Sequence, residues 1–315
     1  MIDMNRVFTF VALLFLIASC TSEIDQVNST SRGKPSGEKT VFFASTENTS
    51  SPETKVYADE NLKVLWNADD RISIFNFNTY NYQYAFTGDD GDTAGGFEEI
   101  PVSGYITGED VSYAYAAYPY NKATKLSRSG VLTMVLPAEQ YYKENSFGIG
   151  ANTMVAVTDG NFLAFKNVGG YLSLRLYGDD VKVSRITIKG NNGEKIAGKA
   201  AITMSLGDVP SIVMDEENAK DAVSIICDPP VTIGTSSSEY TSFWFVIPPT
   251  VFSGGFTIIV VDEIGKVFVK STTKSFTISR NQLDWMNPLK VICVNPENIN
   301  GNGNTEGYNL EDYVW

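Results

Sequence analysis

An all-β fold, built as two tandem β-sandwich domains, is what this sequence predicts, on three observations. Apolar and polar residues alternate with period two in many short runs, which on a pleated strand puts the apolar side chains on one face. Turns rich in Gly, Asn and Asp separate those runs at regular intervals. No stretch of three helical turns carries apolar residues at i, i+3 and i+4, so βαβ units have no helix to build them.

In chain order, residues 1–19 read as an export signal. Arg6 precedes a largely apolar run, Val7 to Ala18, which is short of the about 20 residues that cross a bilayer. Leu16-Ile17-Ala18-Ser19-Cys20 resembles a bacterial lipobox, in which Cys20 is acylated and becomes the first residue of the mature chain. Each buried methylene contributes about 0.8 kcal/mol, so the several acyl chains on such a cysteine hold until the polypeptide is cut. Cys20 is thus the expected lipidation site and the outer membrane, on its surface side, the expected location. Glu23 and Asp25 just beyond it resemble a surface-export signal of some Gram-negative lipoproteins. Residues 20–39 are mostly Ser, Thr, Asn, Gly and Pro, too polar to order themselves, and read as a flexible tether.

The first sandwich is expected over residues 40–158 and the second over 159–294, with 295–315 as a linker and C-terminal tail. Thr40-Val41-Phe42-Phe43-Ala44 is a short apolar strand, and Ser45 to Glu53 a polar loop. Met154-Val155-Ala156-Val157 closes the first set of strands, and Thr158-Asp159-Gly160-Asn161 is the softest boundary. Clean alternation follows in Leu172–Leu176, Arg185–Lys189, Phe256–Val260 and Lys266–Lys270. Phe243-Trp244-Phe245-Val246-Ile247 is denser and reads as a strand covered on both faces. Turns fall at Gly88–Asp92, Gly190–Gly193, Ser253–Gly255 and Glu263–Gly265.

Composition removes several classes of function. A hydrophobic content of 43% supports a real core. The net charge is −13, and losing residues 1–19 takes away one acid (Asp3) and one base (Arg6), so it stays there. Such a chain repels phosphate backbones, which argues against a nucleic-acid partner. Histidine is absent, and with it the Ser-His-Asp and Cys-His arrangements and the commonest zinc ligand. Cys227 and Cys293 lie in apolar, strand-like contexts and read as buried free thiols rather than a disulfide, although an exported compartment permits one.

The remaining motifs favour plain structural readings. Gly88-Asp89-Asp90-Gly91-Asp92-Thr93 has the look of a calcium loop, but position twelve from Asp90 is Pro101 and from Asp89 is Ile100, so a hairpin turn fits better. Asp215-Glu216-Glu217 reads as a solvated loop. Tyr113, Tyr115, Tyr118 and Tyr120 could stack on sugars, yet they alternate like a strand with half of them in the core. Gly95-Gly96, Gly169-Gly170 and Gly254-Gly255 follow no phosphate-loop pattern. No metal, cofactor or catalytic set is expected; a glycosidase would need two carboxylates about 5 to 10 Å apart, and no motif supplies them.

Longer strings carry a family resemblance. Lys63-Val64-Leu65-Trp66-Asn67-Ala68-Asp69-Asp70-Arg71-Ile72-Ser73-Ile74-Phe75 resembles the opening of the fimbrillin-like proteins, the type V pilin group of Gram-negative bacteria. Ala116-Ala117-Tyr118-Pro119-Tyr120, Leu136-Pro137-Ala138-Glu139-Gln140, Asn152–Ala156, Phe165–Leu172 and Ile188–Glu194 are similar to later segments in the same order, from about Lys55 to Val294. The resemblance implies two transthyretin-like sandwiches, export as a lipoprotein, and assembly with other fimbrial subunits on the cell surface. It also implies proteolytic removal of the lipid and the first strand, and refilling of the groove by a neighbour's strand.

Applied to this chain, Arg32 and Lys55 are the processing candidates. A cut after Arg32 frees the lipid but keeps Thr40–Ala44; a cut after Lys55 removes that strand. Tyr308, Leu310, Tyr313 and Trp315 mark the candidate donor tail. Exchange of this kind is β-augmentation at an open edge, and finding residues 40–44 inside a sheet with both flanks paired would exclude it. The function expected is thus a structural subunit or an accessory or tip adhesin of fimbriae, touching host or bacterial receptors; the alternative is a monomeric surface lipoprotein that binds glycans through its tyrosines.

Overall fold

The structure, a computed structural model, describes residues 40–47, 64–76, 79–101 and 112–298. The signal segment, Cys20, the tether, Arg32, Lys55 and the tail residues Tyr308, Leu310, Tyr313 and Trp315 lie outside the described residues. Among the described residues all regular structure is β except one 3-10 turn at Pro296–Asn298.

The strands are β1 (Val41–Thr46), β2 (Arg71–Phe75), β3 (Tyr82–Phe86), β4 (Ala94–Glu99), β5 (Ala114–Tyr118), β6 (Lys125–Leu126), β7 (Val131–Leu136), β8 (Glu139–Tyr141), β9 (Met154–Thr158) and β10 (Phe162–Asn167). They continue as β11 (Gly170–Tyr177), β12 (Lys182–Gly190), β13 (Ala197–Thr203), β14 (Ser211–Lys220), β15 (Ala222–Thr232), β16 (Thr241–Ile247), β17 (Thr250–Phe252), β18 (Phe256–Asp262), β19 (Val267–Ser271), β20 (Phe276–Ile278), β21 (Leu283–Trp285) and β22 (Leu289–Lys290).

In the first half the order β1-β10-β9-β5-β2-β3-β4 closes on itself. Its interior is aromatic: Trp66 meets Phe97, Tyr118, Phe165 and Phe86 at ring-centroid distances of 5.0, 5.4, 5.5 and 6.0 Å. Residues alternate across this sheet as period two requires, so Ile72 and Ile74 point in while Phe75 points out. The outward set Phe75, Ala117, Val155 and Val157 is buried under a second sheet of order β14-β13-β7-β6, through Leu132, Met134 and Ile202.

The second half is a sandwich. Leu172, Leu174 and Leu176 of β11 and Phe243, Phe245 and Ile247 of β16 share one core with Ile186 and Ile188 of β12, Val223 and Ile225 of β15, and Ile258 and Val260 of β18. All of these are at most 1% exposed, and a fully buried side chain of this size contributes about 1.5–3 kcal/mol. The dense run on β16 is covered on both faces as its composition predicts: Trp244 and Val246 pack on the other side with Tyr171 and Leu283. Hairpins form at Glu263–Gly265, where Gly265 has φ +82°, and at Gly88–Asp92, where Gly91 has φ +94°.

Two expected boundaries are corrected. Asp159–Asn161 is the β9–β10 hairpin, and β10 lies in the first sheet, paired with β9 and β1; a hairpin and a linker use the same Gly, Asn and Asp chemistry. The passage to the second half comes at Gly169-Gly170, where added Cβ atoms would lie 2.9 Å from the Ile247 carbonyl oxygen and 2.1 Å from that of Ser279. Residues 125–141, expected in the first domain, also pair forward: β7 with β13, and β8 in parallel with β15.

Candidate functional site

The strand expected to be exchangeable, Thr40–Ala44, falls in β1 and its lead-in. It is not an edge. β1 runs antiparallel to β4, with Phe42 opposite Phe97, and parallel to β10, with Phe43 opposite Phe162. Both flanks are paired, so exchange at an open edge is excluded. Only a long-range pairing, from β1 to a strand some 120 positions on, closes the barrel, and period-two alternation carries no information about which strands pair.

Within β1 the two faces differ sharply. Phe42 (4% exposed) and Ala44 (1%) point into the barrel, and Phe42 meets the Tyr84 ring edge-on at 5.6 Å. Phe43 is 51% exposed and lies beside Phe162, itself 54% exposed. The neighbouring Gly95 leaves room for Phe86, since an added Cβ would sit 2.6 Å from that ring. Loss of β1 would open a slot between β4 and β10, about 20 Å long for six residues, floored by the aromatic core.

A polar latch holds the C-terminal end of β1. Glu47, 11% exposed at its side chain, pairs with Arg280 and accepts the Asn167 N–H at 2.6 Å. Arg280 Nη1 also donates to the Asn167 carbonyl at 2.9 Å, and Lys166 Nζ lies 3.8 Å from Glu47. Asn167 continues the network, donating to Asn281 Oδ1 and accepting from Asn152 Nδ2, each at 2.7 Å. The sequence reading missed Glu47, placing it in a polar loop. Its partner is 233 residues away, so no local pattern marks it.

Other motifs resolve into structure. Asp70 accepts the Tyr118 hydroxyl at 2.8 Å and the Asn67 N–H at 2.8 Å, tying the Trp66 segment to β5. Burial, reinforced by the Asp70 charge, pushes the Tyr118 hydroxyl pKa well up. Asp90 accepts Ala68 N–H at 2.8 Å and Asp92 accepts Asp89 N–H at 2.9 Å, so the acidic turn is engaged with backbone donors. Asp215–Asn218 is not a loop but a bulge in β14, opposite Gly198–Ala200, with Asp215 held by Lys199 at 2.9 Å. Tyr118 is buried and Tyr115 half-buried against the second core, leaving Tyr113 exposed at 43%, so the four tyrosines do not form one sugar-binding surface.

Gln140, from the Leu-Pro-Ala-Glu-Gln string, behaves like a piece of strand. Its Nε2 donates to the Val246 carbonyl at 2.7 Å and its Oε1 accepts the Val246 N–H at 3.0 Å. The side chain thereby covers backbone groups of β16 that would otherwise be open. Cys227 is buried and Cys293 half-buried, both free, and burial pushes each thiol from 9.0 up to about 12. A small cleft of about 70 Å³ lies beside Trp66, Tyr118, Phe147 and Asn152.

The chain matches no protein-family model and no curated protein. Solved structures resemble it at low identity. One, from Bacteroides ovatus, is provisionally described as a cell adhesion protein; it is 9% identical with a TM-score of 0.46, over 80% of this chain and 92% of that one. A fimbrial protein, also from Bacteroides ovatus, is 12% identical with a TM-score of 0.32, over 81% of this chain and 50% of its own. The tip fimbrial protein Mfa3 from Porphyromonas gingivalis is 9% identical with a TM-score of 0.29, over 80% of this chain and 95% of its own. Structural neighbours of this all-β chain thus include adhesion and fimbrial proteins of Bacteroidales, at identities and scores too low to transfer a function.

Proposed function

We propose that this protein is a structural subunit, or an accessory or tip adhesin, of cell-surface fimbriae, exported as a lipoprotein through Cys20, and not an enzyme. The support is the fimbrillin-like strings between Lys55 and Val294 and the position of β1. Edge exchange is ruled out, and a more demanding step takes its place: β1 must leave as a whole strand, and another must enter between β4 and β10. That step needs a covalent cut, because both ladders hold β1 and its downstream link runs through the segment that contains Lys55. A cut after Lys55 leaves β1 held only by its pairing, by Phe42 and Ala44 in the core, and by the Glu47 latch. The tail Tyr308–Trp315 of a neighbour is the proposed replacement.

The carrying observation is that one six-residue strand near the N-terminus closes the first sheet on both sides. Lys-specific proteolysis of the pure protein, with N-terminal sequencing, tests the cut; Val56 as the new N-terminus is expected, with the β1 fragment co-eluting. Excess synthetic peptide spanning residues 305–315 is then expected to displace that fragment and to produce ladders on unboiled gels when the peptide is replaced by a second copy. Unfolding on cleavage, or a β1 fragment that no tail peptide displaces, refutes strand replacement and leaves a monomeric surface lipoprotein.

A further inference from the structure

We propose that the outer face of the sheet β16-β11-β21 carries a binding site for a sugar bearing one carboxylate, with the Arg175 guanidinium as its anion-binding group. The site is independent of whether the chain polymerises. Arg175 lies on the central strand of that sheet, opposite Ser242 of β16. Its guanidinium carbon is 5.0 Å from the Tyr240 ring centroid and 5.2 Å from that of Trp285. Both distances are within cation–π range, so the two rings flank the cation and fix its fork.

The charge on this cation is unspent. Several described cations are paired with carboxylates, among them Lys182 with Glu263 at 3.2 Å, Arg185 with Glu139 at 3.2 Å, and Lys199 with Asp215 at 2.9 Å; Arg175 is not among them. No described carboxylate lies within ion-pair distance of Arg175, and its Nε is buried without a hydrogen-bond partner. Asp284 sits next to Trp285 in sequence, but alternation along β21 puts it on the opposite face, and burial pushes its carboxyl pKa up.

A planar, fixed guanidinium with free Nη groups matches a carboxylate bidentately, which a flexible lysine does not. The surroundings select the rest of the ligand. The apolar cover of this face, Tyr171, Trp244, Val246 and Leu283, stops short of Arg175; beyond it lie the Ser242 hydroxyl and the Tyr240 ring, 38% exposed. A hydroxylated ring with apolar C–H edges suits that mixture. The net charge of −13 repels a polyanion at a distance, which favours a ligand with one carboxylate on a neutral body over an acidic peptide.

Titration of the full chain with N-acetylneuraminic acid and with glucuronic acid, followed by tryptophan fluorescence and by indole N–H shifts, tests this. Saturable binding by at least one acidic sugar is expected, with no response to glucose. Arg175→Gln is expected to weaken it by about tenfold or more, and Arg175→Lys nearly as much, because the fork is lost while the charge stays. Unchanged circular dichroism separates these losses from misfolding. Absence of saturation with both acids, retention of binding in Arg175→Gln, or equal binding of N-acetyl-glutamate would overturn the assignment.

Discussion

The two halves of the molecule reach closure by different means. In the second half, strands adjacent in the sheets pair over long registers, seven residues in β11–β16 and seven in β12–β18, around a largely aliphatic core. In the first, a barrel packed around Trp66 is completed by β1, whose partners β4 and β10 are not the strands next to it in sequence. The contrast teaches that the second half is held by several long ladders between strands distant in sequence, and the first by short hairpins that a single six-residue strand closes.

The strongest attack on this contrast is Trp66→Ala. Removing a ring that meets four others is expected to cost about 4–5 kcal/mol. In urea the first half should then unfold in its own transition, read by near-UV circular dichroism, before the second; one shared transition would show that the halves fold as a unit. Phe42→Ala is next, at about 3–4 kcal/mol, whereas Phe43→Ala one residue away is expected to stay within about 0.5 kcal/mol. Equal effects at the two positions would mean that β1 is not seated face-in as described.

Gln140→Leu sharpens the comparison from the other side. It strips hydrogen bonds from the buried Val246 N–H and carbonyl, for an expected loss of about 2–3 kcal/mol in the second half, measured by denaturant midpoint. Arg280→Met opens the latch on β1; because the pair is partly solvated, about 1–2 kcal/mol is expected, with faster release of a cleaved β1 fragment. The smallest effect is chemical. Below pH 9 both Cys227 and Cys293 keep their protons folded or unfolded. Above it only the unfolded chain releases them, so stability falls as pH rises from about 9 towards about 12. Native thiols should react slowly with an alkylating agent at pH 8 and quickly in denaturant.

Much of this fold could be read from the residues. Leu172–Leu176 and Arg185–Lys189 announce β11 and β12 through alternation, the crowded Phe243–Ile247 announces a strand buried on both faces, and Gly265 announces its hairpin. What escaped was pairing. Alternation says which face of a strand is apolar, but not which strand lies beside it. Hence β1 read as an edge, Asp159–Asn161 read as a domain boundary, and the forward pairing of β7 with β13 and β8 with β15 went unread. The latch escaped for a similar reason: Glu47 and Arg280 sit in unremarkable polar surroundings until the fold brings them together. Arg175 was visible only as the polar beat in a strand, because its two aromatic neighbours come from distant places in the sequence, Tyr240 just ahead of β16 and Trp285 in β21.

The direction of β1 has one more consequence. It runs with β10 and against β4, and the two kinds of ladder space their hydrogen bonds differently. In the proposed replacement, a guest segment seated backwards would run parallel to β4 and antiparallel to β10, so it would have to change the type of both ladders. A chain of molecules joined through it would have a head and a tail, and could grow from one end while remaining closed at the other.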